Sequence, residues 1–420
     1  MANPRRRALL KSGGVALFAA ASGALPLFLP RASAAPARRQ KTIVTIFQRF
    51  GMDGLLAVAP YADQGLARLR PNLMLSHPGS GKADARLELG DGFGLHPAFK
   101  AFKPFYDEGR LAIVHGVGSP DNTRSHTEAQ RWWESGAPGD PRCRDGWLNR
   151  ALAGVDDSQS LLPAVALTQQ RPHIFYGARP VTTAADIGTL TIGADSGQYW
   201  QQLRELYRSS DHPGLREAAG NGLELSAILA RQPAATAAYP EGSQLAASLR
   251  DIARLIKADV GLQLAFADSR DSPNGKGTWD THSNAATVAA DGPFPQMAGD
   301  LADSLAAFMA DLGPRQDDVI VVTLTDFGRN VVENEGLGTD HGRATAMFVL
   351  GGSVRGGQVY GSLPERFERD GLEDGMDLPV TTDFRSVLTP LLQQHLGLDR
   401  TGVVFPDWQG PSLPILRGLS

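Results

Sequence analysis

The 420-residue sequence has only one cysteine, Cys143. A single thiol excludes an intramolecular disulfide framework and any multi-cysteine metal site, so a bound metal must use His, Asp, Glu or hydroxyl ligands. Cys143 itself sits in the polar run Pro141-Arg142-Cys143-Arg144 and reads as a loop residue. Excess basic charge is also missing. Forty-one Lys and Arg against 45 Asp and Glu leave a net charge of -4, which argues against a general nucleic-acid binder, because phosphate affinity needs clustered cations. Past the N-terminus no run is long and apolar enough to span a bilayer, and internal repeats are absent. The Gly-x-Ser-x-Gly elbow of many serine hydrolases does not occur.

The N-terminus does carry an address. Arg6-Arg7-Ala8-Leu9-Leu10-Lys11 precedes a weakly apolar stretch from about Val15 to Leu29, and Ala32-Ser33-Ala34 supplies a small-x-small cleavage pattern. The stretch is short, contains glycine and is interrupted by Pro26, so it would span a membrane poorly. The expectation is a cleaved twin-arginine signal over residues 1–34, with the twin-arginine translocase as partner and a periplasmic or secreted product. Proteins exported folded commonly acquire a metal or cofactor inside the cell.

Apolar, β-branched runs then alternate with amphipathic stretches. Thr42 to Phe47, Leu111 to Val114, Leu262 to Phe266, Val319 to Thr325 and Ala346 to Leu350 read as buried strands. Leu245 to Lys257 and Met297 to Leu312 carry apolar residues at helical spacing. This alternation predicts an α/β fold, a mainly parallel sheet sandwiched by helices. Residues 35–420 read as one domain, in which a loop-rich segment at about 151–240 is expected to be an insertion or cap.

In such sheets ligands bind beyond the carboxyl ends of the strands. Four places of that kind hold acids or histidines: Asp53 in Gly51-Met52-Asp53-Gly54, Asp280-Thr281-His282, Asp326 before Phe327-Gly328-Arg329, and Gly338-Thr339-Asp340-His341-Gly342. Asp and His together suit zinc, manganese or magnesium. Asp53 is also readable as a turn residue and Asp326 as a helix cap. In Thr123-Arg124-Ser125-His126, Ser125 stands before a predicted helix that starts near His126. There it is either a plain cap or a hydroxyl placed to attack or to ligate a metal, with Arg124 clamping a charged oxygen and Thr123 as a rival nucleophile.

These segments occur in order with Gly92-Phe93-Gly94-Leu95-His96-Pro97 and Thr382-Asp383-Phe384-Arg385. Together they resemble the family called domain of unknown function 1501, whose members usually carry a twin-arginine signal. More distantly, the chain resembles the superfamily of alkaline phosphatase, sulfatase and phosphoglycerate mutase. That resemblance implies an alkaline-phosphatase-like fold and one or two divalent ions, with Asp53, Ser125 and Asp326 at one site and Asp280, His282 and His341 at the other. It further implies metal-dependent hydrolysis of a phosphate or sulfate ester, in which two ions clamp the attacking and leaving oxygens. Two other functions fit the sequence: an exported non-catalytic protein binding a small anion or surface polymer, and a Ser–His–Asp hydrolase centred on Ser125.

Overall fold

The computed structural model describes residues 39–418, apart from 159, 191–204, 208, 210, 212, 232–233 and 284–291. The signal segment, with Arg6 and Arg7, lies outside the described residues.

Among the described residues twelve strands appear in chain order: β1 Thr42–Gln48, β2 Val58–Pro60, β3 Leu87–Gly90, β4 Phe93–Leu95, β5 Leu111–Gly118, β6 Ala164–Leu167, β7 Thr182–Thr183, β8 Leu264–Ser269, β9 Val319–Thr325, β10 Thr345–Gly351, β11 Gln358–Tyr360 and β12 Thr382–Asp383. The main sheet runs β11-β5-β10-β9-β1-β8-β6-β7, with β12 also paired to β5. Pairing is parallel throughout except along β10, which is antiparallel to both β5 and β9. β5 therefore runs in the same direction as β9 and β1. β2, β4 and β3 form a separate small antiparallel sheet. The segment expected as an insertion or cap contributes β6 and β7 to the main sheet.

β1 shows why the central strands form. Its residues Thr-Ile-Val-Thr-Ile-Phe-Gln are all buried, as a sheet covered on both faces requires. Successive side chains point to opposite faces. Val44 and Ile46 join one apolar cluster, whereas Ile43 and Phe47 join another. Three helices matter on these faces: α1 His126–Ser135, α2 Gln244–Lys257 and α3 Pro293–Leu312. The first cluster is completed by α2 and α3. Ser243 caps α2 by accepting from the Ala246 N–H at 3.0 Å, and Leu245, Leu249, Ile252 and Ile256 share its buried face. Along α3, Met297, Leu301, Leu305, Phe308 and Leu312 do the same. On the opposite face lie Trp133 of α1 and the helices Trp147–Leu152 and Phe384–Pro390.

This topology gathers one edge of the sheet. The carboxyl ends of β1, β5, β8 and β9 meet there, and the antiparallel β10 delivers its amino end to the same place. No described helix is long and apolar enough to cross a membrane.

Candidate metal centre

Each loop at this edge presents one or two polar residues. His126 opens α1 after β5, Asp280 and His282 follow β8, Asp326 and Arg329 follow β9, and Asp340 and His341 precede β10. Backbone contact locks the last two loops together. Gly328 donates its N–H to the Arg343 carbonyl at 2.8 Å, the Gly342 N–H donates to the Gly328 carbonyl at 2.9 Å, and Arg329 and His341 form an antiparallel bridge. A Cβ on Gly328 would lie 1.8 Å from the Ala344 carbonyl oxygen, and one on Gly342 would lie 2.4 Å from the Arg329 carbonyl carbon. Only glycine allows these loops so close.

Three imidazoles converge on Asp280. Its Oδ1 lies 3.6 Å from His126 Nε2, 3.1 Å from His282 Nε2 and 3.2 Å from His341 Nε2, and the last two nitrogens are 3.1 Å apart. The opposite nitrogen of each ring is held by an acceptor. His126 Nδ1 meets Asp326 Oδ2 at 2.8 Å, His282 Nδ1 meets Asp340 Oδ1 at 2.9 Å, and His341 Nδ1 meets the Arg124 carbonyl at 2.8 Å. A carbonyl or carboxylate can only accept, so each ring carries its proton on Nδ1 and, when neutral, turns the Nε2 lone pair inward. Anchoring of this kind is typical of metal-ligating histidines.

Aromatic packing fixes the rings from behind. Phe327, almost fully buried, stacks on His126 with centroids 4.8 Å apart and tilts against His341 at 4.8 Å, while Phe50 meets His126 edge-on at 5.4 Å. Charge is redistributed within the cluster. Burial works against the charged form of His126, but the neighbouring carboxylates of Asp280 and Asp326 prevail and raise its pKa to about 9. Burial likewise disfavours ionised Asp280, yet the neighbouring imidazoles of His126 and His341 and the guanidinium of Arg329 hold its pKa far below the usual carboxylate range. The His282 hydrogen bond lowers Asp340.

His126, Asp280 and His341 offer ligand atoms within 4.8 Å of one another. His282 lies outside that group but adds a third imidazole, 3.1 Å from both Asp280 Oδ1 and His341 Nε2, spacings close to the ligand–ligand edges of a site with metal–nitrogen bonds of ~2.0–2.1 Å. Two inward lone pairs 3.1 Å apart also need a cation or a proton between them. The residues fit a divalent metal ion.

The remaining expected site residues are placed differently. Asp326 touches the cluster only through His126; its oxygens accept from the Phe50 N–H at 3.1 Å and from Gln130 Nε2 at 2.9 Å as well. Asp53 stands outside the cluster. It caps the short helix Gly54–Ala57, accepting from the Leu56 N–H at 2.8 Å, and both its oxygens lie 3.1 Å from Arg70 Nη1. Ser125 is the exposed cap residue of α1, and its hydroxyl makes no capping hydrogen bond. Among the described residues no histidine hydrogen-bonds that hydroxyl. Arg124 points its guanidinium at Asp377 and Asp374 and serves the cluster through its backbone carbonyl. The hydroxyl of Thr123 is engaged, donating to Glu128 at 2.7 Å and accepting from the Ser125 N–H at 3.2 Å.

Sequence reasoning missed His126 and Arg329 as members of the site. His126 was in view only as the start of a helix. Its position one residue after Ser125, at the end of a β5 loop, was the signal that could have flagged it.

The family model described as "Protein of unknown function (DUF1501)" matches residues 113–406. No curated protein matches the chain significantly. Among solved structures, a protein in the alkaline phosphatase superfamily from Vibrio parahaemolyticus is similar at 11% identity, covering 83% of this chain and 71% of that one with a TM-score of 0.32. Alkaline phosphatase from the Antarctic bacterium TAB5 is similar at 9% identity, covering 75% and 92%, with a TM-score of 0.33. The phosphonate monoester hydrolase of Agrobacterium radiobacter is similar at 11% identity, covering 88% and 79%, with a TM-score of 0.31.

Proposed function

The chain belongs to the DUF1501 family, and within it we propose an exported, metal-dependent hydrolase of phosphate or sulfate esters. The observation that carries this reading is the convergence of three Nδ1-anchored imidazoles on Asp280. His126, Asp280, His282 and His341 would hold the ion, and three imidazoles favour zinc over the oxygen-preferring manganese and magnesium. A bound divalent ion supplies Lewis-acid stabilisation of charge developing on an ester oxygen. Asp326, Asp340 and the Arg124 carbonyl orient the ligand rings, and Phe327 keeps them from turning. Ser125 supplies the nucleophilic hydroxyl, at the amino end of a ten-residue helix whose free N–H groups favour negative charge. The engaged hydroxyl of Thr123 favours Ser125 over it. Residues 1–34, with Arg6 and Arg7, would take the folded chain through the twin-arginine translocase to the periplasm or beyond.

One observation favours a second reading, an exported binding protein without catalysis: Asp53, at the end of the first strand, is neutralised by Arg70 instead of facing the cluster. Metal analysis of the purified full chain and assays on aryl phosphate and aryl sulfate esters separate the two. The hydrolase reading expects bound divalent ion, loss of that ion in the Asp280→Ala/His282→Ala variant, and chelator-sensitive ester cleavage. A native, stable protein that binds no divalent ion sinks it. Bound ion without cleavage of either ester class selects the binding protein.

A further inference from the structure

Behind the imidazole cluster runs a buried series of alternating charges. Arg70 Nη1 contacts both oxygens of Asp53, and both side chains are 1% exposed. Asp53 Oδ2 lies 3.4 Å from Thr339 Oγ1, which in turn accepts from Arg329 Nε at 3.4 Å. Arg329 Nη1 then donates to Asp280 Oδ1 at 2.7 Å, from a side chain with 0% exposure. We infer that this centre takes one divalent ion, and that the guanidiniums of Arg70 and Arg329 supply, as fixed charges, what a second ion would bring. The inference rests on the metal-centre reading proposed above and decides its stoichiometry.

Neither guanidinium can swing aside. Arg70 Nε donates to the Val331 carbonyl at 2.8 Å and Nη2 to the Asn330 carbonyl, while Arg329 Nη2 donates to the Thr339 carbonyl. A second cation at Asp53 would have to displace Arg70 from a pair closed to solvent, and desolvated charges of like sign repel strongly. Arg86 worsens that prospect. It is buried beside Arg70 and, among the described residues, donates only to the carbonyls of Leu55, Leu56 and Gly94.

The carboxylates point the same way. Those of Asp53 and Asp326 are occupied by N–H donors, which leaves Asp280 as the one facing inward Nε2 atoms.

The test is a titration of the purified full chain with zinc, following heat, together with elemental analysis after gel filtration. One ion per chain, bound in a single-site isotherm, is expected. Two ions per chain would overturn this inference alone; zero would overturn the metal-centre reading, and this inference with it. The Arg70→Met/Asp53→Asn double variant sharpens the result. It removes the pair as a unit, and is expected to keep one ion with affinity changed less than about threefold, whereas loss of an ion would mark Asp53 as a ligand. If that variant fails to fold, the stoichiometry of the unaltered chain still decides.

Discussion

Two regions at the edge of this sheet are made from the same three residue types and behave oppositely. The inner one holds Asp53, Arg70 and His115; the outer one holds Asp280, Arg329 and the three convergent histidines. Inside, the aspartate is satisfied by a covalently tethered cation. His115 is satisfied too, with Nε2 2.8 Å from the Val58 carbonyl and Nδ1 accepting from the Gly116 N–H at 3.1 Å. Outside, the aspartate keeps an oxygen among inward nitrogens that lack enough protons to go round. Burial pushes His115 down to about 4, whereas the carboxylates around His126 prevail over its burial and raise it to about 9. The difference teaches that a strand-end carboxylate is no metal ligand in itself. What decides its role is whether the chain's own donors already occupy both of its oxygens, as they do at Asp53.

The comparison breaks most sharply at Arg70. Arg70→Met leaves the buried Asp53 carboxylate unpaired and should cost roughly 3–5 kcal/mol of stability, with most of that recovered in the Arg70→Met/Asp53→Asn double variant. Urea unfolding measures both, and an Arg70→Met chain as stable as the unaltered one would mean the inner pair holds nothing together. Next comes pH. His115 is neutral when folded and ordinary when unfolded, so its contribution is present above about pH 6.5 and is lost as pH falls towards about 4. In that window the unfolded chain binds the extra proton, and the loss is on the order of 3 kcal/mol. His115→Gln should flatten the slope of stability against pH there. The smallest effect belongs to the outer region: Asp340→Asn weakens the anchor of His282 and should lower zinc affinity about tenfold with little change in metal-free stability. Calorimetric titration would show it, and an unchanged affinity would remove His282 from the ligand set.

Much of the fold was legible in the sequence because covered strands and amphipathic helices announce themselves locally. β1, β9 and β10 lie within a residue or two of the apolar runs that predicted them, as does α2. The direction of β10 was not legible, since nothing in Thr345–Gly351 distinguishes an antiparallel central strand from a parallel one. β6 and β7 were hidden for another reason: four and two residues are too short to stand out in a loop-rich segment. At the site, the Asp280/His282 and Asp340/His341 pairs were visible as acid–histidine motifs at strand ends. His126 was not read as part of the site, because its partner Asp326 is 200 positions away. Arg70 was invisible for the opposite reason. It lies only 17 positions from Asp53, in a stretch where nothing marks a buried cation.

The antiparallel placement of β10 between β5 and β9 has a consequence for biosynthesis. His341 and Asp340 reach the cluster only when that strand has slotted into the middle of the sheet, and Arg329 is bridged to His341 by the same step. A ribosome must therefore have released the chain through β10, to Gly351, before the four ligands can meet. An ion held by all four ligands is acquired only after β10 has been made and has paired with both neighbours.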